Sequence, residues 1–133
     1  MPVPSLIPIA YEADDRTDKI GRYDDGQFYA NGWDHHAYVH LFDRDGAYRT
    51  STIVRVEDRS ALEQAVDDLI APLSGKVYCD IAVQLFQVEH DGVLFGLIDE
   101  SGDRDGDGEH SDWVELYPDG LGFDEPWDGS YST

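Results

Sequence analysis

Short apolar runs punctuated by Asp-Gly pairs dominate the first half of the chain. Ile20 to Tyr23 and Gln27 to Ala30 flank Asp24-Asp25-Gly26, and Ala37 to Phe42 and Ala47 to Val56 flank Asp43-Arg44-Asp45-Gly46. Asp and Gly tolerate the positive φ of tight turns, so each pair of runs predicts a β-hairpin. Upstream, Pro2, Pro4 and Pro8 predict an extended lead-in lying across the surface, and polar Glu12 to Asp18 predicts a loop. The period then changes. Leu62, Ala65, Val66, Leu69, Ile70 and Leu73 form one apolar stripe at helical spacing, which predicts one amphipathic helix over about residues 60–73. Ser60 and Glu63 make a capping box at its start, and Pro72 and Gly75 stand where it should stop. Glu63, Gln64, Asp67 and Asp68 occupy the opposite, solvated face.

Beyond the helix, Val77 to Val88 and Val93 to Ile98 are nearly continuous apolar runs joined through Glu89-His90-Asp91-Gly92, and they predict a central hairpin. Ser101 to Asp112 is acidic and glycine-rich without apolar periodicity, the pattern of a long exposed loop. Trp113 to Tyr117 returns to strand, and Pro118-Asp119-Gly120 turns the chain. Strands, one helix, then strands predict an α+β fold. Its frame is a largely antiparallel sheet of about five to seven strands with the helix on one face. Residues 1–133 are expected to form a single domain, with enough apolar residues for one core.

Charge changes the picture more than composition does. Against 29 Asp and Glu the chain sets 9 Lys and Arg, for a formal net charge of −20, and Lys19 and Lys76 are its lysines. Nucleic acid and anionic lipid would be repelled by such a surface, whereas a basic protein, a cation or a salty solvent would suit it. Cys79, the single cysteine, excludes an intrachain disulfide and is expected as a buried, inert thiol. The N-terminus has neither the basic start nor the long apolar stretch of a signal peptide or anchor, so a cytoplasmic protein is expected.

The most specific local pattern is Asp103-Arg104-Asp105-Gly106-Asp107-Gly108, which reproduces the first half of a calcium loop. Asp103, Asp105 and Asp107 are the candidate ligands, and calcium is the cofactor they would hold. The twelfth position is Val114 where a bidentate Glu is needed, so an acidic loop without metal is the competing expectation. His36, Tyr38 and His40 would share one strand face, as exposed histidines or, with Asp34, the seed of a zinc or copper site. No nucleophile elbow, P-loop or dinucleotide fingerprint occurs, and with so many carboxylates any acid–base pair is uninformative. A non-enzymatic protein is the expectation.

Two stretches carry a resemblance. Pro8 to Glu12 with Arg16-Thr17 and Ile20 to Phe28 is one, and Pro118 to Tyr131 is the other, supported by Asp80 to Val83 and Phe95 to Glu100. Across most of its length the chain resembles small bacterial proteins often labelled "formate hydrogenlyase regulatory protein". The resemblance implies a bacterial, cytoplasmic, non-enzymatic protein, and it carries no functional residues.

Together these features predict an acidic binding protein that neutralises or regulates a basic protein partner, such as an immunity protein blocking a toxin domain. The expected contact residues are Trp33, Asp67, Asp68, Phe123, Asp124, Glu125, Trp127, Asp128 and Tyr131, aromatic anchors among acidic groups. A calcium-binding module through residues 103–108, or a small bacterial domain whose acidity reflects a salty environment, are the alternatives.

Overall fold

The computed structural model describes residues 3–103 and 110–132. Among the described residues thirteen strands and one α-helix follow one another: β1 (Ile7–Ile9), β2 (Ile20–Tyr23), β3 (Gly26–Trp33), β4 (His36–Phe42) and β5 (Tyr48–Arg55) come first. Next are α1 (Leu62–Ile70), β6 (Val77–Tyr78), β7 (Ile81–Val83), β8 (Phe86–His90) and β9 (Val93–Asp99). Last are β10 (Gly102–Asp103), β11 (His110–Ser111), β12 (Trp113–Tyr117) and β13 (Leu121–Asp124). All the pairings are antiparallel, so the fold is α+β as the pattern predicts.

The strands form two principal sheets where one was expected. A five-stranded sheet runs β5-β4-β3-β2-β6, a four-stranded sheet runs β13-β12-β9-β8, and β1-β7 and β10-β11 are short two-stranded ladders. The five-stranded sheet is covered on both faces. Phe28, Ala30, Ala37 and Val39 meet Val66 and Ile70 of α1 on one side. Alternate residues Tyr29, Tyr38 and Phe42 meet Phe95, Leu97, Val114, Leu116, Leu121 and Phe123 of the second sheet on the other. Double coverage is why β3 and β4 are apolar almost throughout, since neither face is left for water. An aromatic seam joins the sheets, with Tyr38 against Phe95 at 5.0 Å and Tyr48 stacked on Phe86 at 4.8 Å between ring centroids.

Several expectations change on folding. The proline-rich lead-in does not merely cross the surface: Ile7 and Ile9 enter the core through the β1–β7 ladder. The run from Val77 to Val88 is no single strand of a central hairpin. Val77–Tyr78 edges the five-stranded sheet, Ile81–Val83 pairs with β1, and Phe86–His90 pairs with β9. Cys79 is half-buried beside the exposed Val77 and Tyr78 instead of deep in the core. The helix keeps its predicted stripe but not its predicted cap. Asp58 accepts the Ser60 N–H at 2.9 Å at the head of a 3₁₀ turn, Arg59–Ala61, that leads into α1. The stretch Ser101–Asp112 is paired at its base, Gly102 with Ser111 and Asp103 with His110, so it is not loop throughout.

Candidate functional site

Where the β2–β3 hairpin meets the start of α1, a groove of about 450 Å³ is lined by Asp18, Lys19, Asn31, Gly32, Arg59, Ser60, Leu62, Glu63 and Val66. Its floor depends on a glycine. A Cβ on Gly32 would stand 2.6 Å from Leu62 Cγ, so only glycine lets Leu62 settle directly over β3. Lys19 spans one wall and pairs with Asp67 of α1 at 3.1 Å, a partly exposed bridge contributing about 0–1 kcal/mol. Burial holds the Asp18 carboxyl above its ordinary value; Lys19 opposes this, while repulsion from Asp14 and Glu63 adds to it.

Beneath the groove lies a buried polar network. Tyr29 Oη donates to Asp119 Oδ2 at 2.7 Å, Tyr38 Oη donates to Asp119 Oδ1, and the Arg16 guanidinium donates to the Asp119 carbonyl. Asn31, which lines the groove, donates Nδ2 to the Arg16 carbonyl at 3.4 Å and to Tyr29 Oη at 3.5 Å. Burial pushes the Asp119 carboxyl up, and the Tyr38, Tyr29 and Arg16 contacts pull it back. Burial and the Asp119 charge push both phenols well above their ordinary values, which keeps them protonated as donors. The network clamps the 12–19 segment and the β12–β13 turn onto the five-stranded sheet, and so fixes one wall of the groove. Asp119, which the sequence presents as turn punctuation, is a buried carboxylate.

The histidines do share a face, but it is an interior one. His36 is 3% and His40 0% exposed, between the two sheets, so the expectation of exposed strand histidines is overturned by the second sheet. His40 Nδ1 meets Ser51 Oγ at 2.7 Å, and burial lowers its pKa to about 3, so it is neutral in the fold. His36 Nε2 and His90 Nε2 lie 3.6 Å and 3.4 Å from Asp91 Oδ2 at the β8–β9 turn. Among the described residues no three His, Cys, Asp or Glu side chains form a metal-holding group. Of the calcium candidates, Asp105 and Asp107 lie outside the described residues, and Asp103 is placed by its backbone pairing in β10.

The expected contact residues separate. Trp33, 40% exposed, ends β3, and Asp67 and Asp68 stand on α1, Asp68 accepting from Gln64 at 2.9 Å. Asp124, Glu125 and Asp128 are exposed beside the second sheet, far along the chain from that surface. Phe123 is 2% exposed and belongs to the core, so it offers a partner nothing. Its burial follows from alternation in β13, where Leu121 and Phe123 point inward. Trp127 and Tyr131 pack half-buried against that core. Asp18, Asn31 and Arg59 were not singled out by any motif, because the groove joins them from three separate segments.

No family model, curated protein or solved structure matches the chain. No helix among the described residues is long and apolar enough to cross a membrane.

Proposed function

We propose that this is a non-enzymatic acidic binding protein that neutralises or regulates a basic protein partner, in the manner of an immunity protein acting on a toxin. One observation carries the reading. Among the residues whose burial is described, every carboxylate except Asp119 reaches the surface, so the acidic excess of these residues is displayed outward. Such a field favours encounter with a basic surface and disfavours nucleic acid and anionic membranes. Exposed charges contribute little individually, so affinity would come from desolvated anchors, with Trp33 the exposed tryptophan available for that role. A small bacterial, cytoplasmic protein, as the sequence resemblance implies, is the setting proposed for this activity.

The test is capture of partners from the native host followed by kinetics with the purified partner. The reading expects a basic protein whose association rate falls about tenfold or more between low and high salt. A rate unchanged by salt, or a partner without a basic surface, overturns it.

A further inference from the structure

β5 forms one edge of the five-stranded sheet, and among the described residues it pairs with β4 alone. The ladder is regular from Thr50 to Arg55, its irregularity falling at Leu41/Phe42. The Val56 N–H donates to the His35 carbonyl at 2.8 Å, one step beyond the pair His36 with Arg55. Hydrogen-bonded and open pairs alternate along an antiparallel ladder, so Val54, Thr52 and Thr50 bond to β4. Ser51, Ile53 and Arg55 therefore turn their N–H and C=O groups outward, and no hydrogen bond among the described residues engages those groups. The side chains along this edge differ from the rest of the chain. Residues 46–56 contain no Asp or Glu, and Arg49 and Arg55 are exposed there. Between the arginines runs Thr50-Ser51-Thr52-Ile53-Val54, uncharged, mostly β-branched and without proline. An open edge of that composition is a template for another strand.

We propose that β5 pairs antiparallel with β5 of a second copy of this chain, about a two-fold axis through Ile53, joining two five-stranded sheets into one. In that register Ile53 meets Ile53, Ser51 meets Arg55 and Arg55 meets Ser51. All the outward groups of the three residues are used, in about six backbone hydrogen bonds. Any other register opposes one of the three to a residue outside that set. On the helix side Thr52 of one copy faces Val54 of the other in the closer, open pairs, where β-branched side chains touch. The two Arg55 side chains are offset by four residues, about 13 Å along the ladder, so they do not oppose one another. Charge also favours this occupant. An uncharged β-branched run flanked by arginine is matched by a strand whose own charges fall outside the run, and β5 is such a strand. Two copies repel through their acidic surfaces, but at physiological salt a screening length of about 8 Å confines that repulsion to groups near the seam. The strand at the seam carries no acid. A basic partner meets Arg49 and Arg55 here and is repelled, so this edge is separate from the surface proposed for that partner.

Sedimentation equilibrium of the full chain is expected to show a monomer–dimer equilibrium, with Kd of about 0.1 mM in about 0.5 M sodium chloride and at least about fivefold weaker in about 20 mM. As protein concentration rises, hydrogen exchange should slow at least about tenfold at the Ser51, Ile53 and Arg55 amides. The Thr50, Thr52 and Val54 amides, already bonded to β4, should change little. Thr52 is exposed and its N–H faces β4, so T52E and T52K leave the monomer's ladder intact. Each sets like charges close together across the two-fold axis, and both should weaken dimerisation at least about tenfold. V77E, on β6 at the opposite edge of the same sheet, should leave it unchanged. Core amide spectra matching wild type show that the variants fold. Tighter association of T52K would mean that the arginine-bearing edge seeks an acidic surface of the other copy, and overturns strand pairing. A single monomer at about 0.5 mM protein in about 0.5 M salt overturns the dimer. So does a dimer in which the Ser51, Ile53 and Arg55 amides stay unprotected. Protection of those amides in a monomeric chain only on adding an acidic peptide assigns the edge to that occupant and overturns the second copy.

Discussion

Asp119 shows how much one residue can hold. Its carboxylate receives two buried phenol donors, and replacing it by alanine strands both Tyr29 and Tyr38 hydroxyls away from water. Each stranded group costs about 1–3 kcal/mol, so Asp119→Ala should destabilise the protein by about 2–6 kcal/mol in urea unfolding, and Asp119→Asn by less. A loss within error of zero would mean the clamp is not formed. His40 makes a different prediction. Its folded-state pKa of about 3 lies below the ordinary histidine value of 6.5, so the unfolded chain binds the extra proton. Its contribution is complete above 6.5 and is lost as pH falls from there towards 3, with a slope approaching about 1.4 kcal/mol per pH unit. Asp119, with a raised pKa, acts in the opposite sense, its contribution being lost as pH rises above the ordinary carboxyl value of 3.8. A His40→Phe variant should therefore show a shallower stability loss between pH 6.5 and 4 than wild type. Parallel curves would exclude a neutral buried His40. Neither residue could be assigned this way from sequence, because Asp before Gly is also a turn signal and a strand histidine can face water.

The elements are joined by side chains that imitate backbone. Gln27 is 1% exposed, and its amide both accepts from the Ala82 N–H at 2.9 Å and donates to the Ala82 carbonyl at 3.1 Å. It thereby ties β3 to β7, whose own strand partner is β1. Gln27→Ala should cost about 1–3 kcal/mol, with faster hydrogen exchange concentrated at Ala82 and the β1–β7 ladder. Uniform acceleration across the molecule would argue against a local tie. Gly32→Ala should cost stability and partly close the groove, since its Cβ would displace Leu62. The hairpins and the helix were largely legible, because periodicity and turn chemistry are local. The run after the helix was not: each of its three strands was recognisable as apolar, but which sheet each joins depends on distant partners.

At the scale of the whole molecule, a charge of −20 on 133 residues repels itself. Raising salt from about 10 mM to 1 M shortens the screening length from about 30 Å to 3 Å, so Tm should rise with added sodium chloride. If the protein is unfolded at low ionic strength, acidity is an adaptation to salt and its role in binding is weakened; a stable low-salt fold favours the binding role. The candidate site was legible only in outline. Sequence marked Asp67, Asp68 and Trp33 as surface and marked Phe123 wrongly, since composition does not say which side of a strand faces the core. The sequence by itself determined the α+β class, the helix stripe, the turn positions and the sign of the field, all properties of residue type or near-neighbour spacing. Tertiary structure alone decided that the sheet would divide in two and that the histidines would be buried between the halves. It also made Asp119 a clamp and brought Asp18, Asn31, Arg59 and Glu63 to one groove. Those outcomes depend on pairings between segments tens of residues apart, whose free energy appears only when both partners leave water together.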